Sequence, residues 1–183
     1  MSHPVYKLTY FDVRGAAETT RFVFVYANVP FEDVRVSPEN WPSAAFTRLV
    51  AKKYNLAGTT DEEQAHVDAI GDYFKDIWMA MSKLYYEQDP VKKETIREEY
   101  FKTGIVEHLD VLESHLNEYG KGKLYAPSGV TVADFIVAGL VYSLQVQFPT
   151  SVENRQSLKD HLERVNNLPG VKEWVAKRPQ TEH

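Results

Sequence analysis

Hydrophobic and polar residues change rhythm along this chain. Residues 5–11, VYKLTYF, alternate and are rich in aromatic and β-branched types, the period-2 pattern of a half-buried strand. Residues 15–28 repeat apolar side chains at helical spacing, with Glu18 in the first turn, where the helix dipole favours an acid. Residues 31–36 read as a second strand, which Ser37-Pro38-Glu39-Asn40 ends with turn chemistry. The pattern therefore predicts one βαβ unit.

After Trp41-Pro42 the period is helical throughout. Helix is expected over residues 43–54, over 61–86 behind the capping box Thr60-Asp61-Glu62-Glu63, and from Asp89-Pro90 to about residue 119. Gly120, Gly122 and Pro127 mark a loop, Thr131-Val132-Ala133-Asp134 heads an apolar helix at 135–147, and amphipathic pieces at 153–166 and 170–177 follow. No third strand is predicted. The change from strand to helix puts a boundary at 55–60, dividing residues 1–57 from an all-helical 58–183.

Composition narrows the function. With 43% apolar and 13% aromatic residues, the 183-residue chain can build a real core. Twenty-one basic against 26 acidic residues give a formal charge of -5, which offers no field for nucleic acid or anionic lipid. The longest apolar run, at 135–144, is too short to span a bilayer, and Met1-Ser2-His3-Pro4 does not read as a signal peptide, so a cytoplasmic protein is expected. Without cysteine, any sulfur chemistry must use a thiol brought by a substrate.

The chemically suggestive stretch is Tyr10-Phe11-Asp12-Val13-Arg14-Gly15, which closes the first strand and leads to Glu18 and Arg21. On pattern alone Tyr10 is an ordinary strand tyrosine with its hydroxyl at the surface, and Arg14 a solvated residue at a helix start. Taken with Trp41-Pro42, Leu56-Ala57-Gly58, residues 64–70, the box at 131–134 and Arg178-Pro179-Gln180-Thr181, however, the chain resembles the glutathione transferase family, sigma class, over nearly its whole length. Within that class the likeness is to the prostaglandin D synthase type. The resemblance implies a thioredoxin-like α/β domain, βαβ followed by ββα, joined to an all-α domain in a homodimer. Between Pro42 and Ser43 the family has a further helix, a cis-proline loop and two antiparallel strands. Here they are absent, and Pro42 stands where the family has a glutamine. The N-terminal domain is thus expected to be truncated, lacking the family's third and fourth strands, and turnover much reduced.

The resemblance also assigns roles. Tyr10 would donate to the sulfur of glutathione, lowering the thiol's pKa, with Arg14 in support. Trp41 would offer its indole N–H to the glycyl carboxylate, and Ser43, at a helix N-terminus, would meet the γ-glutamyl carboxylate. Read without the family, Trp41 is a loop aromatic folded on the core and Ser43 a plain N-cap. Asp76 would meet the glutathione amino group of the neighbouring subunit, and Phe11 would line the site of a small hydrophobic electrophile or prostaglandin H2. Lys83 and Ala16 replace a pocket tryptophan and a pocket arginine of the prostaglandin synthase type. Asp68, Asp72 and Asp76 share a helix face; Lys75 beside them repels a cation, so a solvated acidic face is expected and no metal. His108 and His115 are expected at the surface, and Trp78 and Trp174 as packing residues. A non-catalytic binding or structural protein and a defective splice product are the other readings.

Overall fold

The computed structural model describes residues 6–36 and 47–179. β1 (Tyr6–Phe11) and β2 (Phe31–Val36) pair in parallel, in register from Tyr6 opposite Phe31 to Phe11 opposite Val36. The crossover is α1 (Ala17–Tyr26), shorter at both ends than the spacing predicts. Gly15 at φ 44° forces a turn ahead of it, and Asn28 at φ 51° ends the exit. Among the described residues these two strands make the whole sheet. A two-stranded sheet is marginal alone, and the helices supply what it lacks. Phe22, Val23 and Phe24 of α1 enter one core with residues of every long helix but α4, and the Tyr6 and Phe31 rings each lie 5.0 Å from Phe24.

The helical region comprises α2 (Thr47–Lys53), α3 (Asp61–Tyr86), α4 (Pro90–Glu99), α5 (Ile105–Glu118), α6 (Val132–Gln147), α7 (Gln156–Asn166) and α8 (Val171–Lys177). The single helix predicted from residue 90 to about 119 is instead broken by a π-helical turn, Tyr100–Gly104. There the Tyr100 ring packs so close to Gly104 that a methyl group on the glycine would sit 2.9 Å from it. A 3-10 turn, Pro149–Val152, precedes α7, so that helix starts later than expected. Among the described residues no helix is long and apolar enough to cross a membrane.

Two carboxylates organise this region. Glu63, in the first turn of α3, accepts from the Thr59 N–H at 2.8 Å, the Thr59 hydroxyl at 2.7 Å and the Ser128 N–H at 2.9 Å, tying the helix start to the loop before α6. Asp134 is fully buried and accepts from the backbone N–H of Thr131 at 2.7 Å and of Tyr125 at 2.9 Å, while His161 Nε2 lies 3.0 Å away. At the far end Gly170, φ 77°, lies so close to α1 that a β-carbon would be 2.2 Å from the Val25 carbonyl oxygen. Only glycine lets α8 dock there.

The donors around Glu63, first the Thr59 N–H and then Ser128, hold its carboxyl at about 2, below the ordinary 4.5. A carboxyl depressed on folding stabilises above its unfolded pKa and loses that stabilisation as pH falls through the folded one. Melting temperature should therefore fall between about pH 4.5 and 2, and Glu63→Gln should flatten that limb; equal slopes would refute the assignment. Asp134→Ala strands His161 and two buried N–H groups, and should cost about 3 kcal/mol in urea denaturation.

Candidate active site

Arg21 sets the turn that leads out of β1. Its buried guanidinium donates from Nη1 to the carbonyls of Val13 and Arg14, each at 3.2 Å, and to Glu18 Oε2 at 3.1 Å. From Nε it donates to Asp33 of β2 at 2.9 Å. Glu18 is gripped from the other end of the chain, by Arg178 Nη1 at 2.5 Å and the Trp174 indole N–H at 3.0 Å. Trp174 thus packs against the core as expected and donates a hydrogen bond besides. With the turn fixed, the Ala16 N–H donates to the Tyr10 hydroxyl oxygen at 3.3 Å, and a β-carbon on Gly15 would crowd the same ring at 2.9 Å.

Tyr10 and Phe11 stand at the mouth of a cavity of about 330 Å³ between the end of β1, α3 and α6. Phe74, Trp78, Met81 and Tyr86 form one wall and Ile136 and Leu140 the other, with Ser82, Ser143 and Gln147 as sparse polar points. Such a lining suits an apolar ligand oriented by a few polar groups. Burial pushes the Tyr10 hydroxyl above its ordinary value of 10, against the Ala16 N–H, so at neutral pH it keeps its proton and can donate it. Trp78 is 40% exposed and lines this wall; the expectation of a packing residue is corrected. Its apolar neighbours at helical spacing were the one sequence signal for the cavity.

The structure brings Tyr10 and Phe11 together but turns Arg14 away. Arg14 is buried with its guanidinium 4.1 Å from the Tyr142 ring centroid, in a small separate cavity beside Arg178, rather than solvated. Its Nε and Nη2 have no hydrogen-bond partner among the described residues, and burial lowers its pKa. Asp76 is exposed on α3 and does not line the cavity. Trp41 and Ser43 lie outside the described residues. The acidic face is paired: Arg48 reaches Asp68 at 3.2 Å and Asp72 at 2.6 Å. His108 and His115 are half-buried rather than superficial; the His108 ring meets the Tyr73 hydroxyl at 2.8 Å and His115 lies 5.0 Å from His66.

A strand-end tyrosine hydroxyl beside an apolar cleft walled by helices makes a lining suited to a small apolar ligand. Residues 75–178 match the family described as Glutathione S-transferase, C-terminal domain. The chain is 33% identical over 206 positions to Glutathione S-transferase 1 of Ascaris suum, covering 97% of this chain and 98% of the relative. It is 32% identical over 202 positions to the human Hematopoietic prostaglandin D synthase, covering 97% and 98%. A monomeric glutathione S-transferase from the hookworm Necator americanus superposes with a TM-score of 0.86 at 30% identity, covering 98% of this chain and 100% of that one. The chain belongs to the glutathione S-transferase family, a family of enzymes. The 206 aligned positions outnumber its 183 residues, so the relatives carry residues that it lacks.

A tyrosine whose pKa rises on folding stabilises below its unfolded value and loses that contribution as pH climbs toward the folded one. Alkaline ultraviolet titration of the protein and of Tyr10→Phe should differ by a tyrosinate step above pH 10. A Tyr10 step at or below pH 10 would contradict the burial of this hydroxyl.

Proposed function

We propose that this protein is a glutathione transferase of the sigma class, acting in the cytoplasm on glutathione and a small hydrophobic electrophile. The observation that carries the reading is the Tyr10 hydroxyl beside a cavity walled largely by apolar side chains of α3 and α6, where burial keeps it a donor. A donor held there favours the thiolate over the thiol of a bound glutathione, and the thiolate is the nucleophile. Phe11 and the α3 and α6 walls would hold the electrophile against it. The thiol end of glutathione would enter this cavity beside Tyr10. Trp41 and Ser43 would take its two carboxylates, and Asp76 its amino group across a homodimer. Residues 1–57 would be the truncated glutathione-binding unit and 58–183 the helical one.

Within this reading, the likeness to prostaglandin D synthase supports prostaglandin H2 as a second substrate, isomerised to the D form with glutathione regenerated. Arg14 would act through the field it adds behind Gly15, since it faces Tyr142 rather than the cavity. The two-stranded sheet favours slow turnover, because the strands that would hold the middle of glutathione in the family have no counterpart among the described residues. The same observation favours the second reading, a glutathione transferase-like binding protein with little activity. Homodimerisation is supported by exposed Leu49 and Met79 on α2 and α3; the monomeric hookworm relative is the opposing case.

Millimolar glutathione should raise the melting temperature, since a ligand of the native state alone must stabilise it. Tyr10→Phe should keep the fold and lose conjugation of an activated aryl chloride by about a hundredfold. Unchanged turnover in that variant would remove Tyr10 from the chemistry. Sedimentation as a monomer would remove the dimer.

A further inference from the structure

At the opposite end of β1 from the cavity a second tyrosine is set up for different chemistry. Lys53 Nζ donates to the Tyr6 hydroxyl oxygen at 2.5 Å, and the Tyr54 hydroxyl donates to the same atom at 3.0 Å. Both donors come from the end of α2: Lys53 is its last residue, exposed, and Tyr54 follows. The Tyr6 ring is fixed beneath them, 5.0 Å from Phe24 and edge-on to Tyr54 at 6.3 Å, with the ammonium 5.2 Å from its centroid.

Two donors converge on this oxygen, and among the described residues no acceptor takes its proton. That arrangement suits a phenolate. Each hydrogen bond strengthens as the oxygen gains charge, and a lysine ammonium supplies the counter-charge. The electrostatics agree with the geometry. The Lys53 hydrogen bond first, then that of Tyr54, hold Tyr6 below the ordinary 10, whereas burial and then the bond to Tyr6 push Tyr54 up to about 12. Tyr10, where burial outweighs the Ala16 N–H, moves up instead.

We propose that Tyr6 is a site of covalent modification, its oxygen accepting a sulfonyl or acyl group from an electrophilic donor while Lys53 holds the charge. The Tyr6 proton goes to water. A lone pair of the phenolate oxygen then forms the bond to the sulfonyl sulfur or acyl carbon, and the bond to the leaving group breaks. The leaving group departs with that electron pair, as fluoride in the case of a sulfonyl fluoride. Nothing is oxidised or reduced.

The test is a time course with benzenesulfonyl fluoride at neutral pH, followed by mass spectrometry of proteolytic peptides to read the labelling rate at each of the 11 tyrosines. Tyr6 should label first, ahead of Tyr86, which is 80% exposed and has no lysine partner among the described residues. Lys53→Met should slow Tyr6 by about fivefold or more and leave Tyr86 unchanged, while Lys53→Arg, which keeps the charge, should retain the Tyr6 rate. Far-ultraviolet circular dichroism and the melting temperature of each variant report whether the fold is intact, and the Tyr86 rate normalises for reagent. Faster labelling of Tyr86, label on Lys53 itself, or a Tyr6 rate indifferent to Lys53→Met would each overturn the proposal.

Discussion

The guanidinium of Arg21, wholly buried, is the group on which the N-terminal half depends. It spans β2, the turn after β1 and the first turn of α1 at once, through Asp33, the Val13 and Arg14 carbonyls and Glu18. Buried ion pairs add little net stability over a well-packed apolar replacement, but losing one partner leaves a stranded charge that costs several kcal/mol. The network therefore acts as a clamp on position. Among the described residues the sheet has two strands, where few ladder hydrogen bonds define the turn, and Arg21 holds the turn that sets Tyr10 beside the cavity. Glu18 extends the clamp to Trp174 and Arg178, so the small α/β unit is held by the helical region it sits on.

One strand then carries two tyrosines with opposite character. Tyr10 sits among apolar walls, where the ionised form is poorly solvated, and so remains a donor. Tyr6 sits under an ammonium, where the ionised form is welcomed. The residue type is the same and its surroundings decide its chemistry. Arg14 makes the complementary point: in the same stretch as Tyr10, it lies in a different cavity, beside the turn at Gly15.

The architecture was largely legible in the chain. Alternation at residues 6–11 and 31–36 and the helical period between them carry the βαβ unit, and the caps at Thr60, Asp89 and Thr131 mark helix starts to within a residue. What escaped is set by contacts between distant segments. The π-turn at Tyr100–Gly104 keeps the same apolar rhythm as an α-helix across a one-residue slip, so spacing does not reveal it. Trp174 as a donor to Glu18, and Arg48 as the cation for Asp68 and Asp72, are meetings of residues far apart in sequence that local pattern does not encode. The site was half legible: Tyr10 and Phe11 came from a resemblance, whereas Trp78 and Tyr86 look like any aromatic on a long helix until α6 lies opposite them.

The Glu18–Arg178 pair joins residues separated by 160 positions. On a ribosome adding about 5–20 residues per second, the first helix is exposed for roughly ten to thirty seconds before its second arginine is made. Throughout that interval Glu18 can face Arg21 but cannot be closed over by Arg178. Completion of this network thus waits on Arg178, and nascent chains arrested before it would display an unfinished clamp on the βαβ unit to chaperones and proteases. Translation speed between Glu18 and Arg178 becomes a determinant of how much folded protein a cell obtains.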